Sequence, residues 1–176
     1  MLNEIPSTYY AVLLIGIIAT VTDFWKRKIY NWLTLPAIAL GLGLNAWAKG
    51  FAGLGDGLLG LLLGGGVFLI LGLLGMMRGG DIKLAGAMGA LIGWKLMITA
   101  LYYSALIGGA FGLIWAALHG TLWPTLKRVG RALYAAAAPG MKPEVELAQS
   151  ETEPMPYGVA ISWGAIVTLF GLPPVY

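Results

Sequence analysis

The sequence predicts an all-α integral membrane protein: six transmembrane helices, with a cytoplasmic loop that contains an amphipathic interfacial helix. Three observations predict it. The 176-residue chain is 59% hydrophobic and only 11% charged, where a soluble domain carries about a quarter charged residues, and its mean hydropathy is +0.80. Its apolar residues fall into six runs of spanning or near-spanning length. Its Lys and Arg segregate to one side once those runs are taken as spans. The net charge of +3 then concerns membrane orientation and gives no sign of a nucleic-acid partner.

Taken in order, the runs cover residues 8–24, 31–47, 57–77, 82–94, 96–118 and 157–172 of a single membrane-embedded domain over 1–176. The first is at the short end for a spanning helix and ends in Asp23, followed by the basic cluster Lys26, Arg27 and Lys28. A Gly-rich loop over 48–56 separates the second from the third. The third contains Gly64, Gly65 and Gly66, which a membrane helix tolerates where a neighbour packs closely; the pairs Gly60 with Gly64 and Gly89 with Gly93 have the small-xxx-small spacing that allows this. Only Lys95 divides the fourth run from the fifth. Trp25, Trp32, Trp47, Trp94 and Trp123 fall near predicted span ends, as an aromatic belt requires.

Six spans alternate the connecting segments between two sides. One side receives Lys26, Arg27, Lys28, Arg78, Lys83, Lys127, Arg128, Arg131 and Lys142; the other receives Lys49 and Lys95. The richer side is assigned to the cytoplasm and both termini to the opposite side of a bacterial inner membrane. Within the long polar segment, residues 121–138 place Lys127, Arg128 and Arg131 on one helical face, with Leu122, Leu126, Val129 and Leu133 toward the other. That pattern predicts an amphipathic helix lying on anionic lipid. Pro139 and Gly140 end it, and the acidic, Pro-containing stretch 144–156 reads as a solvated loop.

Several chemistries are excluded. There is no Cys, hence no disulfide, thiolate site or Cys nucleophile. The lone His119 cannot build a His-based metal site. The N-terminus lacks a basic region and carries Glu4, so it does not read as a cleaved signal peptide.

Eight acids remain. Glu144, Glu146, Glu151 and Glu153 belong to the polar loop, Glu4 to the N-terminal tail and Asp56 to an outer loop. Asp23 and Asp81 differ: each lies within or against an apolar run, where an ionised group is costly and usually functional. Asp23 ends the first span running inward and Asp81 opens the fourth at the same boundary, so the topology gives them a common side and depth. Two adjacent carboxylates do not both ionise easily; they share a proton. That state suits hydrolysis, one acid activating water while the other donates to the carbonyl oxygen, with no metal, cofactor or covalent intermediate needed. Three uses remain open on the residues alone. Asp23 can pair with Lys26 or Arg27, and Asp81 with Arg78 or Lys83, or cap its helix. The two can serve proton- or cation-coupled transport. Or they form a catalytic dyad.

At these residues the chain resembles the prepilin peptidase family, intramembrane aspartic proteases with a Gly-x-Gly-Asp motif, and within it the short members that serve tight-adherence (Flp-type) pili. The matching blocks are residues 23–36, with Asp23, a basic stretch and Asn31 followed by an apolar run; residues 79–84, Gly79-Gly80-Asp81-Ile-Lys83-Leu, followed by the small residues 85–90; and 156–161, opening Pro156-Tyr157-Gly158. The resemblance implies Asp23 and Asp81 as the catalytic pair, with Gly79, Gly80, Lys83, Asn31 and Arg78 as supporting or substrate-binding positions. It implies, as substrate, a prepilin or pseudopilin with a short basic leader and a long apolar helix, cut at the cytoplasmic face after a Gly. It implies no cofactor. Longer members also methylate the new N-terminus through an extra region with paired cysteines, so methyl transfer is not expected of this chain. Gly79 and Gly80 leave room for a backbone beside Asp81, and Lys83 with the 26–28 cluster offers positive charge to anionic lipid or an acidic substrate residue.

Two positions depart from the family pattern. Arg78 stands where the first Gly of the motif belongs, and Tyr30 replaces the usual Pro before Asn31. A cation beside Asp81 works against proton sharing, so Gly at position 78 is expected to give equal or faster cleavage. Arg78 also leaves open a catalytically altered pilus-assembly protein that keeps the fold.

Overall fold

Four α-helices carry the described chain: α1 (Pro6–Lys26), α2 (Asn31–Leu73), α3 (Gly79–Leu118) and α4 (Tyr157–Phe170). They come from a computed structural model that describes residues 6–73, 77–124, 126, 127, 130 and 156–170. No strand occurs among the described residues. Three helices are long and apolar enough to cross a membrane, Ser7–Lys26, Asn31–Leu73 and Gly79–Leu118; the apolar Tyr157–Leu169 is shorter. Large apolar side chains point outward, including Trp47 (92% exposed) and Phe51 (93%). Water would penalise such a surface; hydrocarbon does not.

A straight α2 of 43 residues would run about 65 Å, twice the roughly 30 Å of a bilayer core. It is broken at Gly50, whose φ of 62° is a left-handed value that glycine adopts without steric cost. Beyond Gly50 the chain folds back. A side chain on Gly53 would strike the main chain of Asn45, and one on Gly57 would lie 3.1 Å from Leu42. Segment 48–56, expected to be a loop, is therefore helical on both sides of a single glycine. Gly93, with φ 76°, breaks α3 in the same way. The break falls two residues before Lys95, the expected divider, because the reversal needs a residue that tolerates positive φ.

The breaks leave carbonyls without helical partners, and Asn45 answers this from across the bundle. Its buried side-chain amide donates to the carbonyls of Ala90 (2.9 Å) and Leu91 (3.0 Å), the last turn before Gly93, and to Gly41 (3.0 Å) in its own helix. Glycines make the remaining approach possible. Gly60 lies against the main chain of Gly89, Gly64 against that of Ala85, and Gly41 against Ala90 and Leu91. The small residues thus sit where backbones meet, as membrane packing favours. Leu at position 89 is expected to force these segments apart and lower the melting temperature in micelles, since overpacking against main chain costs about 1–3 kcal/mol or more.

The contacts divide the chain into two units, Met1–Gly108 with Pro156–Tyr176, and Gly109–Met155. The first holds the core, centred on the fully buried Val12, Leu84, Met88, Leu91, Met97 and Ile161. Within it α4 runs antiparallel to α1: Gly158 meets Asp23, and Gly16 meets Ser162 and Ile166. In the second unit His119 stacks on Trp115, ring centroids 4.4 Å apart, and bonds its carbonyl at 2.9 Å. Leu122 to Pro124, Leu126, Lys127 and Gly130 are helical; residues 125, 128, 129 and 131–138 of the expected amphipathic helix, and the acidic loop up to Met155, lie outside the described residues.

Candidate active site

Asp23 and Asp81 stand more than fifty residues apart in sequence and both lie in the first unit. Asp23 lies in the last turn of α1, Asp81 in the first turn of α3, and both side chains are buried, at 5% and 6% exposure. The charge of Asp23 acts on the Asp81 carboxylate. Ionised acids this secluded are costly unless their surroundings hold them, and three helix ends do so.

The first is the start of α4. The N–H of Gly158 donates to Asp23 Oδ2 at 2.8 Å, and that of Val159 also bonds this carboxylate. These are free donors of a helix first turn, and the local dipole favours an anion. The second is the start of α3, where Asp81 Oδ2 accepts the N–H of Arg78 at 3.2 Å. An acid reaching back from the third helical position to the capping residue is half of a capping box. Capping, one of the uses open to Asp81, is thus part of its setting, and it orients one oxygen. The third is the end of α1, closed by Arg27 in a left-handed conformation (φ 48°), its N–H bonded to the carbonyl of Asp23 at 2.9 Å.

Ile29, in the turn after α1, wedges these ends together. A Cβ on Gly80 would sit 3.1 Å from Ile29 Cβ, and one on Gly158 would sit 2.7 Å from both Ile29 Cδ1 and Asp23 Oδ2. Glycine at 80 and 158 leaves Ile29 and the Asp23 carboxylate undisturbed where they lie against these backbones. Gly79, by contrast, is exposed with open space where a side chain would project.

The other expected positions divide. Arg78 is at the site: its charge acts on both Asp23 and Asp81, and its Nη1 donates to the carbonyl of Arg27 at 3.2 Å. Lys83 and Asn31 bond each other, Nζ to Oδ1 at 2.8 Å, on exposed ground. Lys83 is thus engaged with Asn31. Two contributors were not recognised as such from sequence. Gly158 acts through its main chain, which a side-chain pattern does not report. Tyr157 lies in the field of Asp81 and packs on Phe68, ring centroids 6.0 Å apart. Among the described residues no three His, Cys, Asp or Glu gather where a metal could be held.

The fold and site define a helical membrane protein with a buried pair of aspartates where three helix ends converge. A sequence profile of the type IV leader peptidase family matches residues 10–113. The chain is 31% identical over 152 residues to a prepilin leader peptidase/N-methyltransferase of Burkholderia pseudomallei, covering 82% of this chain and 40% of that protein. It is 34% identical over 116 residues to proteins of the same name from Aeromonas salmonicida and Aeromonas hydrophila, covering 60% of this chain and 39% of each. The chain belongs to the type IV leader peptidase family. It spans about 40% of the length of the curated relatives it matches. No solved structure matches it.

Proposed function

We propose that this protein is an intramembrane aspartic endopeptidase that removes the leader peptide from type IV prepilins or pseudopilins, with Asp23 and Asp81 as its catalytic pair. The observation that carries this is a pair of buried carboxylates from distant helices, close enough for the charge of one to act on the other, each with one oxygen held by a backbone N–H. Two such acids sharing a proton supply both halves of peptide hydrolysis. One takes a proton from the attacking water. The other gives a proton to the scissile carbonyl and later assists the amine to leave. Family membership and the names of the relatives support the same activity.

The proposed substrate comes from the family and suits helix-end acids. Both acids sit at helix ends, so a scissile bond presented at the edge of the bilayer would reach them. A pilin precursor, with its apolar helix in the membrane and its basic leader on the cytoplasmic side, presents such a bond. Gly at the junction eases the unwinding that hydrolysis needs. Six passes of the membrane are part of this proposal, supported by the breaks at Gly50 and Gly93 that divide α2 and α3. So are the inner membrane, cytoplasmic placement of the acids, both termini on the opposite side, and anionic lipid beneath the basic residues, which the Lys/Arg asymmetry supports, and a tight-adherence pilin as precursor, which the sequence resemblance supports.

Coexpression with a tight-adherence pilin precursor, followed by mass spectrometry of the pilin, tests the proposal. The leader is expected to be lost at the Gly junction only where the intact peptidase is present. A precursor that stays full length in its presence contradicts the assignment.

A further inference from the structure

Arg78 occupies the position where the family motif has Gly, and its contacts run in two directions. Through its main chain it belongs to α3: its N–H donates to Asp81 Oδ2 at 3.2 Å, and its carbonyl accepts from the N–H groups of Asp81 (3.1 Å) and Ile82 (3.3 Å). Through its side chain it reaches α1, where Nη1 donates to the carbonyl of Arg27 at 3.2 Å. That carbonyl stands at the negative end of the α1 dipole, where a cation is favoured. Arg27 is held there by its left-handed φ and its bond to the Asp23 carbonyl. One residue therefore joins the last turn of α1 to the first turn of α3, and each of those turns carries one of the two acids.

We propose that Arg78 is a positioning residue that ties the Asp23-bearing end of α1 to the Asp81-bearing end of α3 and places one positive charge against the pair. This rests on the peptidase reading above. It reverses the expectation from sequence that Gly at position 78 gives equal or faster cleavage, because Gly would remove both the tie to Arg27 and the charge. The titratable groups around the pair are Arg27, just after α1, and Arg78, just before α3, whose charges act on it, and Tyr157 at the start of α4, which lies in the field of Asp81. Arg27 acts on Asp23, whereas Arg78 acts on both acids. The side chain of Arg78 is exposed, so water screens its charge and the effect is moderate.

The test is the initial rate of precursor cleavage, across pH, by purified wild type, Arg78→Gly, Arg78→Gln and Arg78→Lys. Gly and Gln are expected to lower kcat about tenfold with KM little changed, a loss of the size expected when acids are misplaced by a fraction of an ångström. Lys, which keeps a donor and the charge, is expected to restore most of the rate. Removing a nearby cation makes a carboxylate hold its proton to higher pH, so the profiles of Gly and Gln move upward and that of Lys stays in place. A merely structural role would lower the melting temperature without moving the profile. Wild-type kcat and an unmoved profile for Arg78→Gly overturn the proposal, as does a rise in KM alone, which would make Arg78 a substrate contact. If wild type itself does not cleave, the peptidase reading has failed; if wild type cleaves and Arg78→Gly matches it, only this inference has.

Discussion

Asn in place of either Asp23 or Asp81 is expected to leave the precursor uncut, with a loss of about 10³-fold or more. The size follows from the role. General acid–base groups contribute about 10²–10⁴-fold each, and an amide can neither take a proton from water nor give one to the carbonyl. The exchange is also nearly silent structurally. Asn keeps an oxygen that accepts the Gly158 N–H at position 23 and the Arg78 N–H at position 81, the bonds the carboxylates make now. The helix ends stay capped, so the variants are expected to accumulate and melt like wild type. Cleavage at a wild-type rate by either variant would remove that acid from the mechanism. Loss of activity accompanied by loss of folded protein would leave its role structural.

Gly158→Ala is expected to lower cleavage about 10²-fold while the protein stays folded. An added Cβ would lie 2.7 Å from Asp23 Oδ2 and 2.7 Å from Ile29 Cδ1. Both are the far ends of side chains, so each moves aside cheaply and the helices keep their places. The displaced atom, however, belongs to the reacting group. A shift near 1 Å at such a group is worth about 10²-fold in rate. Cleavage rates beside melting curves separate the two effects. A wild-type rate would mean that the position of Asp23 against α4 has no bearing on catalysis.

Much of this arrangement was legible in the sequence, and the remainder was hidden for physical reasons. Asp23 and Asp81 announced themselves because an acid against an apolar run is expensive, and the order of the apolar runs put both at one boundary. Gly60, Gly64 and Gly89 were legible as close-approach sites, and Gly60 does meet Gly89, whereas Gly93, paired with Gly89 in that reading, breaks α3 instead. The breaks were not. Gly50 and Gly93 are two of 27 glycines, and nothing local distinguishes a glycine that reverses the chain from one that lets a neighbour approach. Asn45 was missed because its partners, the Ala90 and Leu91 carbonyls, lie some 45 residues away and are created by the break itself. Gly158 was noticed as part of a pattern, but a main-chain donor leaves no trace in residue identity. Arg78 was read as a charge pressing on Asp81; the direction of its side chain, out to the end of α1, exists only in three dimensions.

The absence of Cys gives a clean background for measuring whether the two acids share one place. In membranes, a pair of cysteines introduced at Ile29 and Gly80 serves as reference. Their Cβ positions lie 3.1 Å apart, within a few tenths of an ångström of the span a disulfide bridges, so mild oxidation should join them. Cysteines placed instead at Asp23 and Asp81 are expected to be joined by a short bifunctional thiol reagent, giving a linked peptide by mass spectrometry. If the reference pair closes and the pair at 23 and 81 never links, the carboxylates do not face one another and cannot act on the same bond.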